Sequence, residues 1–504
     1  NASGASRLNP TTHVAELHGV PILELTDYTF ESNMLFAITK VHPDKEQLKL
    51  FNIVLNKLAK VDEFYFEIVK KAKENNATQN EVLISVVSSL GESTEFKEMS
   101  EIIRILLDEF SEFGLRDIYS NINFDKLDDM LKNKFNGTNT KNSVIVNLLI
   151  NEIEACYKSS NILKWATRFV KNNNFEENEK LIIASILIHF AYPSLVLKKI
   201  SRDSVENIFT FISIQAKLTI LATVDIESNE FIKNLKTEEN SDNLTTSFTE
   251  VAYHAVFNSQ PNETELLEFS ALLALTLTNG PGTISAKGAK ESVSARNNIS
   301  TAYAGFLANT GLSHGGSGYE AVDYLLEQFD GIEVLNPADN IGEIKVKELA
   351  ISSAEKYLEY KNGQKIKGEQ VYKRIPCINH PVFKGKKKNI DPREDYIYKK
   401  LSTKNINNVF WDFYHELVEA LYKVGASKNI YCVNIDAVIA VISLKLMWKD
   451  YISSKLSRDK MMDIGFVIFL LGRMVGVSAE IADHRERGTD MDCRTPQSEL
   501  KFIA

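Results

Sequence analysis

A small set of side chains has to carry whatever chemistry this chain performs. Two histidines stand in distinctive settings, His314 inside the glycine-rich run GLSHGGSG at 311–318, and His380 just ahead of Lys384, Lys386, Lys387 and Lys388. Histidine is the side chain best placed to give or take a proton near neutral pH. Asp436, in the triplet NID, offers a carboxylate that becomes a stronger base when water is kept from it. Arg393, Arg473 and Arg494 bring planar, permanently charged forks, each able to hold a carboxylate through two parallel hydrogen bonds. Asn279, in the loop TNGPG, can donate a hydrogen bond but carries no charge. Read one at a time, these residues have ordinary explanations. A lone histidine usually satisfies a core, an arginine in a late helix usually sits in a salt bridge, and a lysine run is usually a solvated loop. Only a fold that gathers them makes acid–base work on a carboxylate-bearing substrate a real reading.

The elements that must position them are helical. Prolines number 11 and glycines 23 in 504 residues, and apolar residues recur at three- and four-residue spacing over 46–60, 98–113, 142–156 and 408–424, each a predicted amphipathic helix. The stretch 13–25, HVAELHGVPILEL, alternates instead and predicts a short hairpin around Gly19. Polar runs at 136–142, 171–180 and 234–243 read as loops. The apolar segment 181–197 contains His189 and Pro193, and at this length it reads as a buried core helix rather than a membrane span. With 44% hydrophobic residues the chain can bury a large core in two to four domains.

Charge and cysteine content narrow the class. A formal net charge of −9 argues against a duplex nucleic-acid binder, which would normally show a basic stripe. Cys156, Cys377, Cys432 and Cys493 form no CxxC pair, so neither a disulfide framework nor a metal site is indicated, and a cytoplasmic, soluble protein with no secretory leader is the expectation.

Taken in order, the motifs resemble the citrate synthase superfamily: citrate and methylcitrate synthases, citryl-CoA lyase and the C-terminal part of ATP-citrate lyase. SAR at 294–296 and LSHGGSGYEAV at 312–322 look like the family's AR stretch and its LHGG helix start. Asn379 and His380 followed by DPR at 391–393 look like GxGH…DPR, NID at 434–436 like NVD, GRMVG at 472–476 like the arginine-bearing helix, and Arg494 in CRTPQS like the terminal arginine. The opening at 19–51 resembles the family's N-terminal turn and helices, whereas 52–250 matches no family motif and is expected to be extra or elongated helices.

The resemblance implies an all-α, two-lobed fold with a large helical domain over 1–318, a small mobile domain over 319–441 and a return to the large domain over 442–504. It implies Asp436 as the base that takes a proton from an acyl-CoA, His314 as donor to the enolate oxygen, and His380 as acid at the carbonyl of a 2-oxo acid such as oxaloacetate. Arg393, Arg473 and Arg494 would hold the carboxylates with Asn279, the four lysines would meet CoA phosphates, and a homodimer would bring the last arginine into the partner's pocket. CoA enters as a thioester substrate, with no bound cofactor. Two departures stand out. Asn279 occupies the place of a substrate-binding histidine, and Cys377, Ile378 and Asn379 stand where GxG lets the backbone approach CoA. Both predict an altered substrate or weakened catalysis. The implied activity is therefore acyl-CoA condensation, with citryl-CoA cleavage or a binding and regulatory role as alternatives. The 36-residue gap between Asp436 and Arg473 resembles the ATP-citrate lyase branch more than the classical synthases.

Overall fold

The computed structural model describes residues 4–112, 116–135, 141–156, 160–226, 229–237, 241–311, 313–315, 319–339, 342–368, 372–488 and 494–501. Among them helices dominate, and the extended structure is one small antiparallel sheet in the order β1 (Ser6–Leu8), β2 (Ala15–Leu17), β3 (Val20–Pro21). The hairpin turns where expected. His18 and Gly19 both take left-handed backbone, φ 50° and 83°, which a two-residue turn between twisted strands requires.

The four periodic segments form helices Lys45–Leu58, Thr94–Glu112, Val144–Ala155 and Val409–Lys423. Their starts are set by side chains that satisfy orphan N–H groups. Asp44 and Gln47 make a reciprocal capping box, Ser143 accepts from Val146, and Asn408 accepts from Phe410 and Trp411. The polar run 171–180 is a loop only between helices Asn161–Asn172 and Asn178–Val196, and 234–243 carries parts of helices Glu230–Thr237 and Ser241–Thr245. In the first of these Phe175 stacks on Phe169; of the run 136–142, residues 136–140 lie outside the described residues.

By chain contact the molecule divides into two units, one of residues Asn1–Pro261, Thr276–Thr310 and Phe469–Ala504, the other of Asn262–Leu275 and Gly311–Ile468. The 52–250 stretch is helical and lies wholly in the first. Helix Asn178–Val196 and the long helix Arg458–Arg487 are apolar and long enough to cross a bilayer, but 72% and 83% of their apolar windows are buried inside the protein. His189 accounts for its own presence there: it is buried, meets the Ser160 hydroxyl at 2.8 Å, and burial holds its ring near pKa 4, hence neutral. Lys217 is the charged residue of the buried helix Ile208–Leu221. Its ammonium donates to the Leu58 carbonyl at 3.1 Å and the Ser213 hydroxyl at 3.0 Å, closing the end of helix Lys45–Leu58 where a cation is favoured.

Helices Ile284–Ser294 and Ile299–Ala308 cross at two glycines. A Cβ on Gly288 would stand 2.4 Å from the Gly305 carbonyl oxygen, and one on Gly305 would stand 2.5 Å from that of Gly288. Gly288→Ala is therefore expected to cost about 1–3 kcal/mol through overpacking, read as a lower denaturant midpoint. An unchanged midpoint would show that the helices separate freely.

Candidate active site

In the second unit Asp391 ties the candidate residues together. This carboxylate is fully buried and caps helix Pro392–Ser402 by accepting from the Arg393 N–H at 3.0 Å. It also takes the Arg393 guanidinium through Nε at 2.9 Å and Nη2 at 2.7 Å, and the Ile435 N–H at 3.2 Å. The aspartate of DPR thus fixes its own arginine and the start of the helix that carries Asp436. One edge of the Arg393 fork is spent on Asp391, so a ligand carboxylate would meet its outer Nη1–Nη2 edge. Phe383 lies under the guanidinium, 5.3 Å from ring centre to Cζ.

The next link is backbone. The Asn379 N–H donates to the Cys432 carbonyl at 2.7 Å, and the Asn434 N–H donates to the Cys377 carbonyl at 3.1 Å, an antiparallel pairing around the Ile378–Val433 bridge. Asn434 then caps helix Ile435–Ile452 by accepting from Asp436 and Ala437, and its side-chain amide reaches the Asn379 carbonyl at 3.3 Å. Cys377 and Asn379 hold φ of 63° and 68°. Both positions therefore hold the left-handed backbone that glycine favours. Asparagine tolerates it, and cysteine pays about 1–2 kcal/mol.

This pairing brings His380 and Asp436 into one electrostatic neighbourhood. Burial pushes the Asp436 carboxyl above the usual carboxylate range and Asp391 adds to the rise, while Arg393 and His380 pull it back. Asp436 is nevertheless exposed, so a substrate can reach it, and the exclusion of water expected from the sequence is only partial. The Val382 N–H donates to His380 Nδ1 at 3.2 Å, so a neutral ring carries its proton on Nε2 and donates from there. Burial, then Asp436 and Glu320, push the Cys377 thiol up, and it stays protonated. His314 is half-buried in a tight turn, exchanging backbone hydrogen bonds with Gly311 at 3.1 and 3.0 Å, before helix Tyr319–Gln328. Of the lysines, Lys388 pairs with Glu419 at 2.8 Å, and Lys384, Lys386 and Lys387 are exposed.

Asn279, Arg473 and Arg494 belong to the first unit. One face of the long helix presents Arg473, Gly476, Glu480 and His484 at helical spacing to the segment 276–294. Arg473 is buried, donating from Nε to the Thr276 carbonyl at 2.9 Å and from Nη1 to the Ser285 hydroxyl at 3.1 Å. Gly476 is what allows that approach, since a Cβ there would lie 2.0 Å from the Leu277 carbonyl oxygen. His484 meets the Ser294 hydroxyl of the SAR motif at 2.7 Å. No carboxylate lies within salt-bridge reach of Arg473 among the described residues, and burial lowers its guanidinium to a pKa of about 10. Asn279 is exposed at a loop tip, and Arg494 is exposed ahead of the short turn Gln497–Glu499.

No protein-family model matches the sequence, and no curated protein matches it. Solved structures do. Citrate synthase from Pyrobaculum aerophilum superposes with a TM-score of 0.50 at 14% identity, over 100% of this chain and 92% of that one. This chain has the citrate synthase fold. Citrate synthase from Thermotoga maritima matches at TM-score 0.45 and 13% identity, over 100% of this chain and 95% of that one. Citryl-CoA lyase from Hydrogenobacter thermophilus matches at 0.39 and 18%, over 51% of this chain and 84% of that one. Residues that sequence reasoning passed over are Asp391, whose signal was an acid just before Pro392 at a helix start, and Glu480, four positions beyond Gly476 on the same helix face.

Proposed function

We propose that the protein is a citrate synthase-like acyltransferase that condenses an acyl-CoA, such as acetyl-CoA, with a 2-oxo acid such as oxaloacetate. The observation that carries this reading is the cluster in the second unit. A carboxyl with a raised pKa, a histidine whose proton is fixed on Nε2 and an arginine with a free outer edge all hang on Asp391 and the 377–379 pairing. Asp436 takes the α-proton of the thioester, and a donated hydrogen bond from His314 steadies the enolate oxygen. The enolate carbon attacks the oxo-acid carbonyl, whose oxygen receives its proton from His380, and water then cleaves the C–S bond to release CoA thiol. Arg393, Arg473, Arg494 and Asn279 hold the carboxylates, with Arg494 serving the partner's pocket in a cytoplasmic homodimer, and Lys384, Lys386 and Lys387 meet the CoA phosphates. The test is release of free thiol from acetyl-CoA or propionyl-CoA that depends on oxaloacetate; no release from either overturns the synthase reading. The spacing of Asp436 and Arg473 favours a second reading, citryl-CoA cleavage, which the same assay detects as oxaloacetate formed from citryl-CoA.

Asn279 sets the affinity. Replacing a charge-assisted contact by a neutral one forfeits about 1.5–3 kcal/mol, so Asn279→His is expected to tighten oxaloacetate binding roughly ten- to a hundredfold in calorimetric titration. Weaker binding in the variant would instead place a less charged group of a different oxo acid at this position.

A further inference from the structure

We infer that the N-terminal strand is a strap that holds the Asn279 loop in its binding position, with Glu480 and Lys290 as positioning residues. The inference rests on the reading of Asn279 as a ligand contact. Glu480 is 1% exposed, yet its carboxylate accepts from the Ala5 N–H at 3.1 Å, from the Ser6 N–H at 3.0 Å and from the Ser6 hydroxyl. These groups lie more than 470 positions away in sequence, so the helix that presents Arg473 also anchors the start of the sheet. Lys290 is 0% exposed. Its ammonium lies 3.5 Å from the Pro281 carbonyl, two residues from Asn279, and its charge offsets that of Glu480.

The strap touches the loop directly. A Cβ on Gly280 would sit 3.6 Å from the Leu8 nitrogen, ordinary contact distance, and one on Gly4 would sit 2.8 Å from the Pro281 Cβ and 2.0 Å from Glu480 Oε2. β1 thus lies along one side of 280–281, and Lys290 takes the carbonyl of Pro281. Two buried opposite charges are an expensive way to join apolar surfaces, because desolvation consumes much of their attraction. What they supply here is geometry: the loop that carries Asn279 is fixed to the helix that carries Arg473.

Gly4→Ala tests this without changing any charge, since the added methyl would meet Glu480 Oε2 at 2.0 Å and must push the strand off Glu480. Hydrogen–deuterium exchange in a peptide covering 277–283 is expected to rise about tenfold or more. The KM for oxaloacetate is expected to rise about tenfold with kcat within about twofold, and the melting temperature to fall, because the buried Glu480 loses hydrogen-bond partners. Glu480→Gln keeps a side chain of the same shape and loses the charge that faces Lys290, and the same split in smaller degree is expected. Unchanged exchange at 277–283 while residues 4–8 loosen would overturn the strap. Faster exchange with unchanged KM would overturn the link to affinity. A wild-type protein that binds no 2-oxo acid would bring down the affinity half together with the reading of the site, whereas a loosened loop in Gly4→Ala would still uphold the strap.

Discussion

Asp436→Asn is expected to fold normally and to turn over about a hundredfold more slowly or worse, the usual scale for removing a positioned general base. The substitution is nearly isosteric, and helix Ile435–Ile452 does not depend on this side chain, because Asn434 supplies the cap. No hydrogen bond to the Asp436 carboxylate holds the fold together among the described residues, so a loss of turnover with unchanged melting temperature isolates the chemical role. The pH dependence gives a second readout. The base must be ionised, and burial has raised its pKa against the opposing pull of Arg393 and His380. Activity should therefore be gained as pH rises through a value above the ordinary aspartate range, and Arg393→Leu, which removes the largest stabiliser of the anion, should move that limb to still higher pH. An Asp436→Asn protein matching wild-type turnover would remove this residue from the mechanism.

How far the sequence could lead to this arrangement depends on the range over which each determinant acts. Helices were legible because their apolar period and their caps are local, as at Asp44 and Ser143. The hairpin was legible because Gly19 permits its turn. Motif order made the candidate residues legible, since Asn434 and Asp436, or Asp391 and Arg393, are only two positions apart. What could not be read was anything enforced by distant partners. Cys377, Ile378 and Asn379 stand where the family resemblance expects a GxG that lets the backbone approach CoA, and glycine is the residue that takes left-handed backbone most readily. Pairing with 432–434 accompanies left-handed backbone at 377 and 379, and the tertiary hydrogen bonds offset a strain of about 1–2 kcal/mol at Cys377. Asp391 entered only as the first letter of DPR, because its bond to Ile435 crosses 44 positions.

Arg473→Met is expected to abolish binding of the 2-oxo acid, by a hundredfold or more, while leaving the ligand-free protein as stable as wild type or more so. The opposite signs follow from one fact. Arg473 is a buried cation held by a carbonyl, a hydroxyl and the Phe469 ring, with no carboxylate to neutralise it among the described residues. Desolvation has lowered its pKa to about 10. A base whose pKa falls on folding makes the folded state less stable wherever it is charged, and that cost fades only as pH rises through about 10. At neutral pH the protein thus carries a cost of order a few kcal/mol that no internal contact repays in full. A ligand carboxylate repays it: two parallel charge-assisted hydrogen bonds in a desolvated site are worth about 1.5–3 kcal/mol each. Methionine fills a similar channel without the charge, so the penalty and the affinity should disappear together. Thermal unfolding of the ligand-free proteins and calorimetric titration with oxaloacetate measure the two halves separately. A variant that loses several degrees of melting temperature would make Arg473 a structural clamp on Thr276 and Ser285. Equal affinity in both proteins would mean that the anion binds elsewhere.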